Sequence, residues 1–359
     1  MKNEIDISII IKALNEEEII QKSIKSAKNA LSELEGLTGE IILADSLSTD
    51  KTIHIAQKEQ GISIVQLKRI KDRACGVGPQ LGYQHSRGKY VYILDGDMEL
   101  EKGILKKTIK MLKGNPDIAG VAGQVTEMRV MNMQFENRQR QQSLNQNPIV
   151  LTNKLEMGGL YRRSAIETSG YLSNKNLHAY EEAELGHRLI EKNWKLLRIN
   201  TPGIKHYGYD TTSLGVLIKR WKSRYVKGSG EYFRASIGKS YFWKVLLEMK
   251  ILVFLTGWWF IFLSTLLIVP ICTLPFKCWG VISVVLLMIF FIIKKNFKKW
   301  GFSIVSWHIN TLGLIWGFLS PVYNPRKKIP STTGLVQPLD KIVVRSSHNL
   351  SLFVMYQIG

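Results

Sequence analysis

The feature that most constrains this sequence is an uncharged tract of 24 residues, Ile251–Leu274, which contains Trp258 and Trp259. A helix of about 20 apolar residues is long enough to cross the roughly 30 Å hydrocarbon core of a bilayer. A buried helix of a soluble protein is the alternative, but the length without charge favours a membrane span. A second uncharged tract, Cys278–Ile293, has 16 residues and follows closely. The two together predict a tight hairpin of spans or a re-entrant pair.

A third apolar tract, Gly301–Val322, contains several polar residues, so an interfacial or buried helix explains it as well as a span does. Orientation follows from the placement of Lys and Arg. The segment Lys205–Lys250 has ten basic and three acidic residues and leads into the first tract, and four lysines follow the second. Both flanks are therefore expected in the cytoplasm. The cluster Arg326–Lys328 would be external if the third tract crossed, which argues against a full crossing.

The net charge is +20 at pH 7, from 49 basic and 29 acidic residues. This excess indicates phosphate-bearing partners, an anionic membrane surface or nucleic acid. Much of it flanks the apolar tracts, where the positive-inside rule accounts for it, and no nucleic-acid recognition motif is present. Nucleic acid is therefore not expected as a partner.

Three cysteines, two of them in apolar surroundings, exclude a disulfide scaffold and a cysteine zinc site. Because Glu4 and Asp6 open the chain, no cleaved secretory signal is expected.

Residues 1–235 show the alternation of strands and helices that is typical of an α/β domain with a mostly parallel sheet. Apolar β-branched runs predict buried strands, and helical spacing of apolar residues predicts the segments between them. Ligands of such sheets bind beyond the carboxyl ends of the strands, where Asn15, Asp45 and Asp95 are expected to converge. The predicted strands are Ile7–Ile11, Glu40–Ala44, Ile62–Gln66 and Tyr90–Leu94, and the predicted helices are Glu16–Leu34, Thr49–Gln60 and Pro79–Ser86.

Five motifs in order resemble those of family-2 glycosyltransferases with the GT-A fold, a group of inverting enzymes that use nucleotide sugars. The resemblance covers about residues 5–235. It implies a nucleotide-diphospho-sugar transferase fold, Rossmann-like with a mostly parallel sheet, followed here by C-terminal transmembrane helices. The motifs are Ser8–Glu17 (SIIIKALNEE), Ala44–Thr52 (ADSLSTDKT), Gly88–Tyr90 (GKY), Leu94–Asp97 (LDGD) and Tyr180–Leu185 (YEEAEL).

The Asp-x-Asp motif carries the first chemical inference. A nucleoside diphosphate leaves readily only if its growing charge is neutralised, and two carboxylates on one loop suit Mg²⁺ or Mn²⁺. An ordinary Asp-Gly-Asp turn is the alternative. The resemblance makes Asp97 the firmer metal ligand, with Asp95 as a second ligand or a ribose contact. It also implies that His206 helps to hold the metal or the diphosphate, since a neutral imidazole suits Mn²⁺.

The resemblance further implies which residues bind the donor. Asp45 is placed against the nucleoside base, although a helix-capping role is the alternative. Leu14 and Glu16 line the nucleoside pocket, with Leu14 standing where the family often has an aromatic residue. Arg73, ahead of the glycine-rich stretch Gly76–Gly82, is placed near the diphosphate.

The acidic motif supplies the predicted general base. Attack on the anomeric carbon needs the acceptor hydroxyl to lose its proton. By resemblance Glu182 aligns with the residue that takes this proton, usually Asp, and Glu181 with the Glu before it. The longer Glu side chain leaves Glu181 as the alternative base, and a charged helix start is the purely structural alternative. Arg220 and Trp221 match only the end of a motif of processive synthases, which disfavours polymerisation through a channel.

Together these features predict a membrane-anchored, metal-dependent glycosyltransferase that transfers a sugar with inversion to a hydroxyl acceptor, such as a lipid-linked or surface glycan. The alternatives are a polyprenyl-phosphate sugar synthase and a non-catalytic nucleotide-sugar-binding protein. The expected location is the plasma (inner) membrane, multi-pass, with the catalytic domain in the cytoplasm. The predicted division is a catalytic domain at 1–235, a membrane region at 236–322 and a tail at 323–359, with weak β patterning at Lys341–Arg345.

Overall fold

The computed structural model describes residues 5–129, 147–208 and 211–334, and the predicted pattern at Lys341–Arg345 lies outside these ranges. All four predicted strands are present, and each begins and ends within two residues of its predicted bounds. All of the described strands join one sheet. They are β1 (Ile7–Ala13), β2 (Gly39–Asp45), β3 (Ser63–Leu67), β4 (Tyr90–Asp95), β5 (Met98–Leu100), β6 (Ile118–Glu127), β7 (Ile149–Leu151), β8 (Gly159–Arg162), β9 (Lys195–His206) and β10 (Ser331–Gly334).

The helices of the described ranges fall into two groups, those that cover the sheet and those that follow it in the chain. They are α1 (Ile20–Ser32), α2 (Thr52–Gln57), α3 (Val77–His85), α4 (Ile104–Gly114), α5 (Arg163–Ser169), α6 (Glu181–Glu191), α7 (Ser213–Lys222), α8 (Gly228–Ser236), α9 (Phe242–Glu248), α10 (Lys250–Ile268), α11 (Leu274–Lys294) and α12 (Phe297–Phe318).

The sheet runs in the order β10-β3-β2-β1-β4-β8-β6-β9-β5, with β7 on β9. Strands β3, β2, β1 and β4 are parallel neighbours, as the strand–helix alternation predicts. Strand β8 is antiparallel to both β4 and β6, so the sheet is mixed beyond β4. The fold class predicted from the sequence is therefore confirmed.

Apolar strand side chains on both faces of the sheet form the core. Ile7, Ile9 and Ile11 of β1 belong to a cluster that includes α1 and α4, whereas Ile10 points to the opposite face, against α3. Successive strand residues face opposite sides, so a continuous apolar run such as this one needs helices on both faces. Because β1 is central and has helices packed on both of its faces, the residues that follow its carboxyl end are held in a fixed position.

Two helices, α10 and α11, are long and apolar enough to cross a membrane, and most of their surface is exposed. They cover the two tracts that the sequence predicts to span, although α10 ends at Ile268 and α11 already begins at Leu274. Aromatic side chains join the two helices, and the rings of Trp258 and Trp279 are 5.7 Å apart. The pair is thus an apolar hairpin.

The third apolar tract forms α12, which packs against the domain. Thr311, Gly313, Leu314 and Gly317 are buried where α12 meets α8 and the preceding 3₁₀ turn, Tyr225–Lys227. Only one side of α12 is packed in this way, because Val305 and Leu312 are exposed. The boundary predicted at residue 235 falls within α8.

After α12 the chain returns to the edge of the sheet. Strand β10 pairs antiparallel with β3, and the Gln84 side chain exchanges two hydrogen bonds with the backbone of Ile329. The Lys175 ammonium donates to the carbonyl of Lys327 at 2.7 Å. The basic cluster Arg326–Lys328 therefore lies against the same domain that precedes the apolar hairpin.

Candidate active site

The carboxyl ends of β1 and β4 meet at a cavity of about 650 Å³. The parallel register pairs Lys12 with Asp95, which places the residues after both strands at one edge of the sheet. Five of the predicted site residues line the cavity: Leu14, Glu16, Arg73, Asp95 and Asp97. Of the three residues expected to converge here, Asp95 lines the cavity, whereas Asn15 and Asp45 are not among its lining residues.

Lys12 links the floor of this cavity to the acidic motif. Its ammonium lies 3.1 Å from an Asp95 carboxylate oxygen and 3.4 Å from one of Glu181. Burial disfavours the charged ammonium, but the charges of Asp95 and Glu181 outweigh it and raise the pKa of Lys12. Lys12 is thus a fixed cation between two carboxylates from distant parts of the chain.

Asp97 lies beside His206 because β5 pairs with β9, setting Met98 opposite His206. The distance from Asp97 Oδ2 to His206 Nε2 is 3.3 Å. On the other side of the ring, Nδ1 lies 2.5 Å from Glu127 Oε2. Burial alone would lower the pKa of His206, but these two carboxylates raise it to about 9. Glu127, His206 and Asp97 therefore form a chain of bonded groups that ends at the cavity.

Glu16 stands over the Asp-x-Asp loop. A Cβ on Gly96 would lie 2.9 Å from the Glu16 side chain, so glycine allows this close approach. Burial raises the pKa of Glu16 to about 9, and the charges of Asp97 and Asp95 add to that shift. Leu14, an apolar residue that is 36% exposed, lines the same cavity.

Asp45 and Arg73 hold the loop between β2 and α2. Asp45 is fully buried; its carboxylate accepts hydrogen bonds from the backbone and hydroxyl of Ser48 and from the Gln66 amide. Arg73 donates to the carbonyls of Ser46 and Leu47 while also lining the cavity. Arg73 thus borders the cavity directly, whereas Asp45 supports its wall from behind.

The acidic motif opens helix α6. Tyr180, the residue before α6, has φ of +67°, an uncommon conformation for a residue other than glycine. The Glu182 carboxylate accepts a hydrogen bond from the Met157 backbone at 3.2 Å, and burial raises its pKa to about 8, with Lys12 opposing the shift and Glu181 adding to it. Glu181 is paired with Lys12, which lines the cavity, and Glu182 is the next residue of α6.

Several residues of this region were missed by the sequence interpretation. Lys12, Glu127 and His178 each contact a predicted site residue or line the cavity. Lys12 and Glu127 lie near the carboxyl ends of strands, a position that carries ligand-binding residues in such sheets. That position is the signal by which they could have been found.

The donor set fits a divalent cation. Within the described ranges, no three His, Cys, Asp or Glu side chains surround a common point. Mg²⁺ is usually held by only one or two protein groups together with substrate phosphates and water. Asp97 supplies a carboxylate. His206, which carries both ring protons between Asp97 and Glu127 when no cation is bound, would supply an imidazole once its Nε2 proton is displaced by the cation, with Glu127 orienting the ring. These two residues are therefore suited to hold Mg²⁺ or Mn²⁺.

Comparison with known proteins bears on this fold and this edge of the sheet. The family model described as Glycosyl transferase family 2 matches residues 8–170, which include β1, the Asp-x-Asp loop and β8. Residues 8–170, just under half of the chain, are thus similar to glycosyl transferase family 2. The resemblance based on the five motifs is therefore confirmed, and so is the GT-A fold.

Individual proteins and solved structures match this chain over a short region or at low sequence identity. Glucosyl-3-phosphoglycerate synthase of Petrotoga mobilis is 36% identical over 101 residues, which are 27% of this chain and 29% of that protein. The chain thus matches under a third of that relative's length. Mannosyltransferase PcManGT from Pyrobaculum calidifontis, solved in complex with GDP-Man and Mn²⁺, is 15% identical with a TM-score of 0.53, over 89% of this chain and 88% of that one. S. aureus TarS 1-349 in complex with UDP-GlcNAc has a TM-score of 0.47 and 14% identity, over 63% of this chain and 66% of that one.

Proposed function

We propose that this protein transfers a sugar from a nucleotide-diphospho-sugar donor to a hydroxyl acceptor, with inversion and with a divalent cation. The acceptor is a lipid-linked or surface glycan at the membrane. The observation that carries the proposal is the single cavity at the carboxyl ends of β1 and β4, which Asp95 and Asp97 line and which Lys12 connects to the acidic motif. The match of residues 8–170 to the glycosyl transferase family 2 model supports the same reaction class.

The donor half of the cavity lies at the carboxyl ends of β1 and β4, beside the Asp-x-Asp loop. Asp97 and His206 would hold Mg²⁺ or Mn²⁺, which when bound supplies positive charge beside the diphosphate. Leu14, Glu16 and Arg73 line the space available to the nucleoside and diphosphate. Lys12 keeps Asp95 in place by its 3.1 Å ion pair, so the acidic loop is ordered before the donor binds.

The acceptor half is assigned to the acidic motif. In a single displacement, the acceptor oxygen bonds to the anomeric carbon while the bond from that carbon to the diphosphate oxygen breaks. The electron pair of the broken bond leaves with the diphosphate, and the hydroxyl proton passes to the Glu182 carboxylate. Attack from the face opposite the leaving group inverts the anomeric configuration. Glu181, bound to Lys12, holds the start of α6 in register with the cavity.

The apolar hairpin supports a membrane location. Helices α10 and α11 expose large apolar side chains along most of their length, which water would disfavour. Helix α7 ends in Lys219, Arg220 and Lys222 and exposes Trp221, a combination that suits a lipid headgroup region. A two-span anchor with the domain on the cytoplasmic side accounts for these surfaces.

A panel of nucleotide sugars tests the function. Purified protein in detergent is mixed with GDP-mannose, UDP-glucose or UDP-GlcNAc and Mn²⁺, and release of the nucleotide is measured. We expect release from at least one donor, loss of it on chelation of the metal, and at least about a hundredfold loss in Asp97→Asn. Asp117→Asn, which alters an exposed acid far from the cavity, is the matched control. Binding of a donor without turnover would instead favour the non-catalytic alternative.

A further inference from the structure

A second bonded pair faces the cavity from the side of the acidic motif. His178 lines the cavity three residues before Glu181, and its ring Nδ1 lies 2.9 Å from Glu231 Oε1 and 3.0 Å from Oε2. The backbone N–H of His178 donates to the same carboxylate at 2.9 Å. Glu231 is 3% exposed and belongs to α8, outside the region matched by the family model.

The hydrogen bonds of Glu231 determine which ring nitrogen of His178 faces the carboxylate as a donor. The carboxylate accepts from the His178 backbone and lies 3.5 Å from the Lys227 ammonium, so it acts as an acceptor throughout. Nδ1 of His178 must therefore carry a proton and donate to it, so the neutral ring has its lone pair on Nε2. Within the described ranges, no residue is hydrogen-bonded to Nε2 of His178. An acceptor atom of fixed orientation thus stands in the wall of the cavity.

The support beneath this pair is rigid. A Cβ on Gly228 would overlap Ala179, the residue after His178, and one on Gly230 would overlap the Leu314 carbonyl of α12. Helix α8 is therefore held between the His178 segment and α12 at backbone contact distance. A residue on such a support loses little conformational entropy when it binds a ligand.

We propose that His178 binds a sugar hydroxyl of the donor: the hydroxyl donates a hydrogen bond to Nε2, and Glu231 positions the ring. This inference rests on the proposed function, because the cavity must hold a nucleotide sugar. Both the ribose and the transferred sugar of the donor offer hydroxyl donors. His178 lies three residues before Glu181, beside the acidic motif assigned to the acceptor, so it lies toward the transferred sugar rather than the ribose. A site built around such a bond discriminates strongly against a sugar that lacks the hydroxyl. His178 is thus a specificity-determining residue.

Deoxy analogues of the donor test this contact. The donor is the nucleotide sugar selected by the panel above, and binding to the protein with Mn²⁺ is measured by calorimetry for that donor, its monodeoxy analogues and the nucleoside diphosphate alone. In the wild type, we expect removal of one hydroxyl to weaken binding about tenfold. In His178→Phe, that analogue and the full donor should bind equally, while the nucleoside diphosphate binds as in the wild type. His178→Gln, which keeps an acceptor oxygen, should recover part of the discrimination.

Glu231→Gln tests the positioning role. Loss of the carboxylate should shift the ring proton of His178 between the two nitrogens, which the ¹⁵N spectrum of labelled histidine reports, and should reduce the same discrimination. His54→Phe and Glu35→Gln, both exposed and far from the cavity, are the matched controls.

Two results would overturn the inference: discrimination at every hydroxyl that persists in His178→Phe, or a wild-type ring that carries its proton on Nε2. If only acceptor kinetics change in His178→Phe, the hydroxyl belongs to the acceptor sugar and the donor assignment is wrong. Absence of any nucleotide-sugar binding in the wild type would instead contradict the proposed function.

Discussion

Glu182 should set the pH dependence of transfer. Burial raises its pKa to about 8, so most of the carboxyl is protonated at pH 7 and cannot accept the acceptor proton. Nucleotide release should therefore increase about tenfold per pH unit from pH 6 toward 8 and level off above that value. Initial rates between pH 6 and 9.5, with donor and metal saturating at each pH, measure the profile.

The variant Glu182→Gln provides the comparison. It removes the titrating group, so its residual rate should be low and should not rise between pH 6 and 8. Glu181→Gln separates the two carboxylates, because Glu181 is bound to Lys12 and the rise with pH should survive its loss. A wild-type rate that is flat across this range would contradict the assignment of Glu182 as base.

His187 should make the fold sensitive to mild acid. Its ring is 3% exposed and stacks on Tyr241 at 4.9 Å, and burial lowers its pKa to about 4, with Lys244 and Lys154 adding to the shift. The unfolded chain, with a histidine pKa near 6.5, binds the proton first as pH falls. Stability is therefore complete above about pH 6.5 and decreases as pH falls toward 4, by about 3 kcal/mol at most.

Thermal unfolding of the wild type and of His187→Phe, measured side by side from pH 8 to pH 4, checks this effect. The variant keeps the aromatic stack without the titrating group. Its melting temperature should fall less than that of the wild type below pH 6.5. Parallel curves would show that His187 does not control acid stability.

The sequence predicted Asp95 and Asp97, whose position follows from the end of one strand, and missed Glu127, whose role depends on pairing between distant strands. Asp95 and Asp97 follow a β-branched run directly, so their place at the sheet edge could be inferred. Glu127 meets His206, 79 residues away, only because β6 and β9 are parallel neighbours in a register that places the two residues opposite each other. No local pattern encodes that register.

At the scale of elements, the packing of α12 on α8 and on the 3₁₀ turn before α8 depends on glycines. A Cβ on Gly313 would overlap the Val226 carbonyl, and one on Gly317 would overlap the Lys227 carbonyl. Replacing Gly317 by Ala must therefore separate the helices or shift their backbones, at a cost of about 2 kcal/mol or more. Gly301→Ala, in the same helix but in open space, is the matched control and should leave stability unchanged or raise it slightly.

Unfolding of both variants in the same detergent, followed by tryptophan fluorescence, measures the difference. Equal stability of Gly317→Ala and Gly301→Ala would show that α12 is not packed closely on the domain. Because α8 also carries Glu231, the Gly317 variant should lose donor discrimination together with stability.

The same packing explains why the third apolar tract was ambiguous in the sequence. Apolar content alone favours a membrane and a protein interior equally. Thr311, Gly313 and Gly317 face α8 and the 3₁₀ turn, where backbones approach closely. Only the position of the partner helix distinguishes a span from a docked helix, and that position is a tertiary property.

At the scale of the whole molecule, the chain leaves the domain at α10 and returns to it after α12. If α10 and α11 both cross the bilayer, the turn between them, which contains Cys272, lies outside, and Lys298 lies on the side of the domain. The basic residues beside α11 and the contacts of Arg326–Lys328 with the domain agree with this orientation. Natural cysteines therefore allow the topology to be read directly.

In spheroplasts that express the Cys278→Ser variant, which removes the other exposed cysteine, a membrane-impermeant maleimide should label Cys272, and the Cys272→Ser, Cys278→Ser variant should not be labelled. Cys75 is partly buried in the cavity on the opposite side, and burial raises the pKa of its thiol, so it should contribute little to the signal. Adding Lys298→Cys to the double variant should restore labelling only after lysis, because that site faces the cytoplasm. Labelling at residue 298 in intact spheroplasts would reverse the orientation, and labelling of neither site before lysis would place the hairpin on one face of the membrane without crossing it.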